Sequence, residues 1–194
     1  MGVVPRIRGE RQALHVSQKD EHGARFSTSV LAGGTPEPTQ PAYHDLRYRL
    51  VGREDYAARS LDAITYIVIH HSAVDVDSTP LSIAKYHVES LKWPGIGYHW
   101  VVGWDGTISY VGDVQTSRAN VYGRNREVVG ICLPGNWTER VPPDPQLAAT
   151  RELVRWLLGE LPGRVVVGHY EVALPVSPTS CPGAFWPQWR NRII

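Results

Sequence analysis

Two histidines and one cysteine stand where a fold could bring them together. The apolar runs ITYIVIH (64–70) and RVVVGH (164–169) end in His70 and His169, and Cys181 follows soon after the second. Catalytic groups of an α/β sheet gather at strand ends, where loops begin. Two imidazoles and a thiolate suit zinc, and three protein ligands leave a fourth tetrahedral position open, as in catalytic zinc sites. These residue types therefore indicate a catalytic zinc site.

The same residues have plainer interpretations. A single histidine at a strand end is usually a satisfied polar residue, and the two cysteines of the chain, Cys132 and Cys181, could form one disulfide. Cys132 lies within the apolar run VVGICLPG (128–135), where we expect a buried thiol that packs as a small hydrophobic group. Cys181 precedes Pro182–Gly183, and a helix beginning there would favour its thiolate. Spacing alone leaves these alternatives open.

The elements that must position these residues alternate between strands and helices. Strands are predicted at 64–70, 128–135 and 164–169, a hairpin at 97–112 with its turn at Asp105–Gly106, and helices at about 80–92 and 144–161. A last helix face is predicted at Phe185, Trp189 and Ile193. This order predicts an α/β domain with a mixed central β-sheet flanked by helices.

Finer predictions follow from side-chain periodicity. The first helix is expected to bury Leu81, Ala84, Val88 and Leu91, and to begin at a Thr79 cap. Asp144–Pro145 predicts a similar capped start for the second long helix. Since successive strand residues point to opposite faces, we expect His71 to face away from His70 and to support the core rather than bind metal.

Composition narrows the function classes. The formal net charge is +1 and no basic tract stands out, which argues against nucleic-acid binding. No apolar window approaches a membrane span, and MGVVPRIRGERQ lacks a signal-peptide run, so we expect cytoplasmic synthesis without a signal. The Gly/Pro/Thr-rich segment 33–41 predicts a domain boundary. Residues 1–41 would be an N-terminal extension of unknown role, and 42–194 the catalytic domain.

Several motifs together resemble one enzyme family. They are IVIHHSA (67–73), GIGYHWVVGWDGTI (95–108), VVGICLPGNW (128–137), PPDPQL (142–147), VVGHYEV (166–172) and TSCPGAFW (179–186). In this order and at this spacing, segment 45–189 resembles the zinc-dependent N-acetylmuramoyl-L-alanine amidases, which include amidase-type phage lysozymes and animal peptidoglycan recognition proteins. The resemblance implies that family's fold, with a mixed sheet flanked by helices.

The resemblance also implies roles for five residues. His70, His169 and Cys181 match the family's zinc ligands, Tyr98 matches a tyrosine near the metal-bound water, and Thr179 matches a position that binds the developing oxyanion. The implied reaction is hydrolysis of the amide between N-acetylmuramic acid and L-alanine of the peptidoglycan stem peptide. We expect a monomeric phage or prophage endolysin that acts on the cell wall after release, without nucleic-acid or membrane partners.

Some features depart from the family pattern or leave alternatives. Many members have Arg or Lys and then Asp after the second histidine, where this chain has Tyr170–Glu171, and we expect Glu171 to be a solvated loop residue. The segment TSRANVYGRNREVVG (116–130) lacks the family's usual histidine, and no carboxylate stands out as a general base. The alternatives are a non-catalytic peptidoglycan-binding module, which would commonly lack the cysteine, and a recycling amidase for anhydro-muropeptides, which would use Asp as third ligand.

Overall fold

Residues 18–19, 25–26, 38–53 and 55–194 are described by the computed structural model of this chain. The chain divides into two units, Met1–Pro38 and Thr39–Ile194. In the first, two short strands, β1 (Gln18–Lys19) and β2 (Arg25–Phe26), pair antiparallel. Apart from residues 38–41, the remainder of the predicted extension lies outside the described residues, and the role of the extension stays a prediction.

The second unit is built on a six-stranded sheet. Its strands are β3 (His44–Asp45), β4 (Tyr66–His71), β5 (Trp100–Val102), β6 (Ile108–Tyr110), β7 (Val128–Leu133) and β8 (Val165–Gly168). They lie in the order β3-β6-β5-β7-β4-β8. Only the β5–β6 hairpin is antiparallel among these pairs, and β4 lies between two parallel neighbours. The predicted mixed sheet is confirmed.

Helices cover both faces of this sheet. Helix α1 (Pro80–Lys85) packs Ile83 and Ala84 against Val101 and Cys132 on one face. Helix α2 (Asp144–Glu160) covers the other face, where Trp156 meets Trp100 with ring centroids 5.8 Å apart. Covering both faces explains why the central strands are apolar throughout rather than alternating. No helix in the described part of the chain is long and apolar enough to cross a membrane.

The first helix differs from its predicted form. Thr79 caps it as expected, accepting from the Ser82 N–H at 3.2 Å, but a π-helical turn, Tyr86–Ser90, follows α1 directly. The predicted apolar face was wrong at both ends, because Leu81 and Leu91 are exposed. The buried residues are Ile83, Ala84 and His87. The π turn interrupts the regular 3.6-residue period only before Leu91, whereas Leu81 lies in the regular first turn of α1 and simply faces solvent.

Two other predicted details were wrong by about one residue. Asp144 is the first residue of α2 rather than its cap, and its carboxylate accepts from Arg192 at 2.7 Å. Near the C-terminus, helix α4 (Trp186–Trp189) is followed by a 3₁₀ turn, and Trp186 is fully buried where Phe185 was expected. Tertiary contacts decide such terminal positions, which local sequence signals place only to within a residue or two.

Candidate metal centre

The fold brings the three predicted ligand residues to one point. His70 lies near the end of β4, and His169 is the first residue of a short helix, α3 (His169–Val172), that directly follows β8. Because β4 and β8 are adjacent and parallel, with Ile69 opposite Gly168, their histidines emerge at the same edge. Cys181 reaches them from the loop before α4. One ligand atom from each residue lies within 4.8 Å of the others.

The individual contacts are close. His70 Nδ1 lies 3.7 Å from Cys181 Sγ, and the ring centroids of His70 and His169 are 4.6 Å apart. His70 is 2% exposed and Cys181 9%, whereas His169 is half-buried. The site is thus closed on the core side and open beside His169, so a small molecule can approach it from solvent.

Burial sets the protonation of this site. Desolvation is the main cause that holds the pKa of His70 well below its usual range and lowers that of His169 to about 4. Burial also raises the pKa of the Cys181 thiol to about 12. Both imidazoles are therefore neutral at neutral pH and can donate a lone pair, while the thiol keeps its proton until a cation replaces it.

This donor set fits zinc. Neutral imidazoles and a cysteine thiolate are its preferred ligands, and three of them leave a coordination position for water or substrate. The Nε2 atom of His70 is buried and, within the described residues, has no hydrogen-bond partner. Its other ring nitrogen, Nδ1, points toward Cys181 Sγ at 3.7 Å, so imidazole and thiol converge on one point as two ligands of a single metal ion would.

The surroundings of Cys181 correct one expectation. Helix α4 begins only at Trp186, so Cys181 does not lie at a helix N-terminus, and its thiol pKa is raised rather than lowered. The backbone N–H of His71 donates to Sγ at 3.4 Å, which opposes the effect of burial without overcoming it. The backbone N–H of Tyr170 donates to the carbonyl of Cys181 at 2.8 Å and so holds the Cys181 backbone.

His71 supports the centre without offering its imidazole to it. Its side chain, on the face opposite His70, accepts from the Trp137 N–H through Nδ1 at 3.3 Å. Its backbone N–H makes the contact to Cys181. The expectation that His71 is a supporting residue agrees with these contacts, but the backbone contribution has no signature in the sequence.

Tyr98 and Thr179 border the ligand cluster. The Tyr98 ring lies 5.2 Å from the His70 ring between centroids, and its phenol contacts the Cys132 thiol. Burial raises the Tyr98 pKa well above its usual range, so the phenol stays protonated. The Thr179 hydroxyl accepts from the Cys181 N–H at 3.1 Å, and this fixes its oxygen while leaving its hydrogen available. Their catalytic roles stay predictions.

Glu171 is exposed as expected, but it lies in α3 rather than in a loop and its carboxylate has three partners. Its carboxylate accepts from the Gly168 N–H at 2.5 Å, from the Trp186 indole at 2.8 Å and from Arg190 at 3.1 Å. It thereby joins the α3 turn that carries His169 to the C-terminal segment. A glutamate three residues after a helix cap is a local signal for the Gly168 contact, whereas only the tertiary fold brings Trp186 and Arg190 to this carboxylate.

Replacing Glu171 with alanine should lower the free energy of unfolding by about 1–3 kcal/mol. The buried Trp186 indole N–H and the Gly168 N–H would lose their acceptor, and an unsatisfied buried donor costs about this much. Urea unfolding at neutral pH measures the change. Glu152→Ala, an exposed carboxylate on α2, is the matched control and should shift stability by no more than about 0.5 kcal/mol. Equal losses in both variants would contradict the assignment.

His87 is a second buried histidine near the centre. It packs beside Tyr98, with ring centroids 5.5 Å apart, and its Nδ1 accepts from the Gly97 N–H at 3.0 Å. Burial lowers its pKa to about 4, whereas an unfolded histidine titrates near its usual value of about 6.5. Its protonation therefore favours the unfolded chain between these two pH values.

Acidification should destabilise the metal-free protein through this residue. The contribution of His87 is fully present above the unfolded pKa of about 6.5 and is lost as pH falls toward 4, which amounts to about 2 kcal/mol between pH 7 and pH 5. The glutamine of His87→Gln keeps a hydrogen-bond acceptor but does not titrate. In urea unfolding, the free energy of unfolding of this variant should therefore fall by about 2 kcal/mol less between pH 7 and pH 5 than that of the parent. The same pH dependence in both proteins would contradict this.

Comparison with known proteins agrees with this geometry. The family described as N-acetylmuramoyl-L-alanine amidase matches residues 60–184, a segment that contains all five predicted site residues. The endolysin of Klebsiella phage KP32 is 30% identical over 137 residues, covering 66% of this chain and 87% of its own. Peptidoglycan-recognition protein SC2 of Drosophila simulans is 26% identical over 165 residues, covering 73% of this chain and 88% of its own.

A solved structure extends the agreement to three dimensions. The Ph2119 endolysin, from a bacteriophage of Thermus scotoductus MAT2119, superposes with a TM-score of 0.68 at 28% identity. The match covers 78% of this chain and 98% of that one. The family match spans well over half of the chain, and the ligand cluster, the sheet order and this superposition agree with it. The chain belongs to the N-acetylmuramoyl-L-alanine amidase family and is an enzyme of that class.

Proposed function

We propose that this amidase is a zinc-dependent peptidoglycan hydrolase that cleaves the amide between N-acetylmuramic acid and the L-alanine of the stem peptide. The observation that carries the proposal is the convergence of His70, His169 and Cys181, whose ligand atoms lie within 4.8 Å of one another in a partly open site. All three come from one chain, so the site needs no second copy and a monomer suffices.

The metal would supply the electrophilic part of the chemistry. When bound by these three residues, zinc would lower the pKa of water to about 7 and polarise the scissile carbonyl. The task of the protein is to hold the ligands at fixed positions and to keep the core side of the site dry. The burial of His70 and Cys181 and the contact from the His71 N–H serve that purpose.

Tyr98 and Thr179 would act on the substrate. The Tyr98 phenol remains protonated at neutral pH and contacts the Cys132 thiol, which is a weak acceptor, so an oxygen of water or substrate beside His70 would compete for its hydrogen. The Thr179 hydroxyl, whose oxygen already accepts from the Cys181 N–H, can donate its hydrogen to the developing oxyanion.

The phage relatives favour an endolysin, released from the host cytoplasm to act on the cell wall. Matched proteins that are named endolysins include those of Klebsiella phage KP32 and of a Thermus phage. A non-catalytic binding module is the second candidate, because peptidoglycan-recognition proteins are also among the relatives. The complete ligand set favours catalysis over binding alone, and the cysteine at the third position argues against a recycling amidase that uses Asp.

Metal removal tests the proposal. Protein stripped with a chelator should release no dye from labelled cell walls, and one equivalent of zinc should restore release, because the nucleophile depends on the metal. A parallel titration with Mg²⁺, which prefers oxygen ligands, is the control and should restore nothing. Full activity of the stripped protein, or zinc binding to cell-wall-bound protein with no release at all, would contradict the enzyme assignment.

A further inference from the structure

Asn120 lies beside the ligand cluster with its amide orientation fixed. Its Nδ2 donates to the carbonyls of Gly97 at 3.0 Å and Arg118 at 3.1 Å. Its backbone N–H donates to Asn125 Oδ1 at 3.0 Å, which holds the loop that carries it. Because both amide hydrogens point to carbonyls, Oδ1 must point the other way, toward the sheet.

Asn120 Oδ1 lies over the same face of the sheet as the His70 side chain. A Cβ added to Gly130 would lie only 2.7 Å from Oδ1, so this oxygen rests directly over Gly130. Gly130 and Cys132 are two residues apart on β7 and therefore face the same side, and Cys132 is paired in register with His70. The glycine thus leaves room for an amide on the metal-facing side.

Two buried polar atoms on this side of the sheet lack ordinary partners within the described residues. Within the described residues, neither Asn120 Oδ1 nor His70 Nε2 has a conventional hydrogen bond. Yet the two side chains interact, and the Asn120 amide partly opposes the effect of burial on the pKa of His70. Asn120 Oδ1 is an acceptor without a donor, and His70 Nε2 is a nitrogen without an acceptor. A small movement of either side chain when a metal binds would form a hydrogen bond between them.

Metal ligation by His70 would explain why the Asn120 oxygen lies near its imidazole. His70 Nδ1 is the nitrogen near Cys181 Sγ, at 3.7 Å, so Nε2 is left to carry the hydrogen. A metal-ligating imidazole almost always donates its other N–H to a carbonyl or carboxylate, which fixes its tautomer and orientation. We propose that Asn120 is a positioning residue whose Oδ1 accepts from His70 Nε2–H and holds Nδ1 toward zinc. This inference rests on the proposed function.

A pair of substitutions isolates the acceptor role. Asn120→Asp and Asn120→Leu both remove the amide hydrogens that bind Gly97 and Arg118, so both lower stability in urea unfolding of the metal-free protein. Only Asn120→Leu also removes the acceptor for His70. In chelator competition with zinc, Asn120→Leu should bind about 10–100-fold more weakly than the parent, and Asn120→Asp should stay within a few-fold of it.

An NMR signal separates loss of the hydrogen bond that orients His70 from a general loss of stability. In the zinc-loaded, ¹⁵N-labelled protein, His70 should show a slowly exchanging Nε2–H signal, retained in Asn120→Asp and lost in Asn120→Leu. Gly130→Ala gives a second route, because its Cβ would lie 2.7 Å from Oδ1, 2.8 Å from Cγ and 3.2 Å from Nδ2 of Asn120. The amide would have to shift as a whole although Asn120 itself is unchanged, and zinc binding should weaken as it does in Asn120→Leu.

The outcomes distinguish the inference from the function on which it rests. Stoichiometric zinc in the parent with equal affinity in the Asp and Leu variants would overturn the role of Asn120 alone. A parent protein that binds no zinc would overturn both. Weaker binding in Asn120→Leu and Gly130→Ala, with recovery in Asn120→Asp, supports the inference.

Discussion

Replacing Cys181 with serine should leave the protein without bound zinc and without measurable amide hydrolysis. The hydroxyl of serine is a poor substitute for a thiolate ligand, and the remaining pair, His70 and His169, would hold the metal weakly. The loss of activity should exceed the roughly 10²–10³-fold that removal of a single oxyanion donor causes. Zinc content by elemental analysis and dye release from labelled walls measure the two effects.

Cys132→Ser is the matched control for this experiment. It makes the same substitution at the second buried free thiol, which is paired in register with His70 and packs in the core with Val101 and Ile83. It should lower stability but keep one equivalent of zinc. If Cys181→Ser retained full zinc while Cys132→Ser lost it, the ligand assignment would be wrong.

Replacing Thr179 with valine should reduce kcat by about 10²–10³-fold while leaving zinc bound. The two side chains have nearly the same shape, but valine cannot donate to the oxyanion, and one well-placed donor is worth about 2.7–4 kcal/mol. KM should change little, because the hydrogen bond is made mainly in the transition state. Steady-state kinetics on a soluble muropeptide separates kcat from KM.

The Thr179 hydroxyl also orients the ligand loop, and controls must separate this role. It accepts from the Cys181 N–H, so valine removes that bond as well. Thr179→Ser keeps both the acceptor and the donor and should retain most of the activity. A valine variant with full zinc and unchanged kcat would exclude the oxyanion role, and one that loses its zinc would assign Thr179 to ligand positioning instead.

The sequence was most informative where the pattern is local or carried by several motifs. The strand that ends in His70 is a continuous apolar run, and the Asp105–Gly106 turn marks a hairpin, so both elements were predictable from residue types. The alternation of side chains along a strand was enough to predict that His70 and His71 point to opposite faces of the sheet. The long-range meeting of His169 and Cys181 was indicated mainly by the resemblance, since spacing left a disulfide and ordinary polar roles open.

Features that depend on tertiary contacts were missed. The contacts of Glu171 with Trp186 and Arg190 could not be predicted, because these partners reach it only in the fold. The π turn after α1 precedes Leu91, which is exposed, and a regular helical period cannot foresee such an interruption.

The thiol environment of Cys181 was also predicted wrongly. A helix start after Pro182 would have lowered its pKa, but burial dominates in the folded chain and raises the pKa to about 12. Local sequence indicates which groups stand near a cysteine along the chain, whereas desolvation depends on everything packed around it. A metal, rather than a helix terminus, is then what must favour the thiolate.

Mass spectrometry of sacculi digested by the zinc-loaded protein tests the central claim most directly. Cleavage of the amide to N-acetylmuramic acid would release stem peptides with free L-alanine N-termini and leave glycan chains without new reducing ends. Sacculi treated in parallel with the Cys181→Ser protein should release no such peptides. New reducing sugar ends, or intact sacculi after treatment with the zinc-loaded protein, would contradict the account.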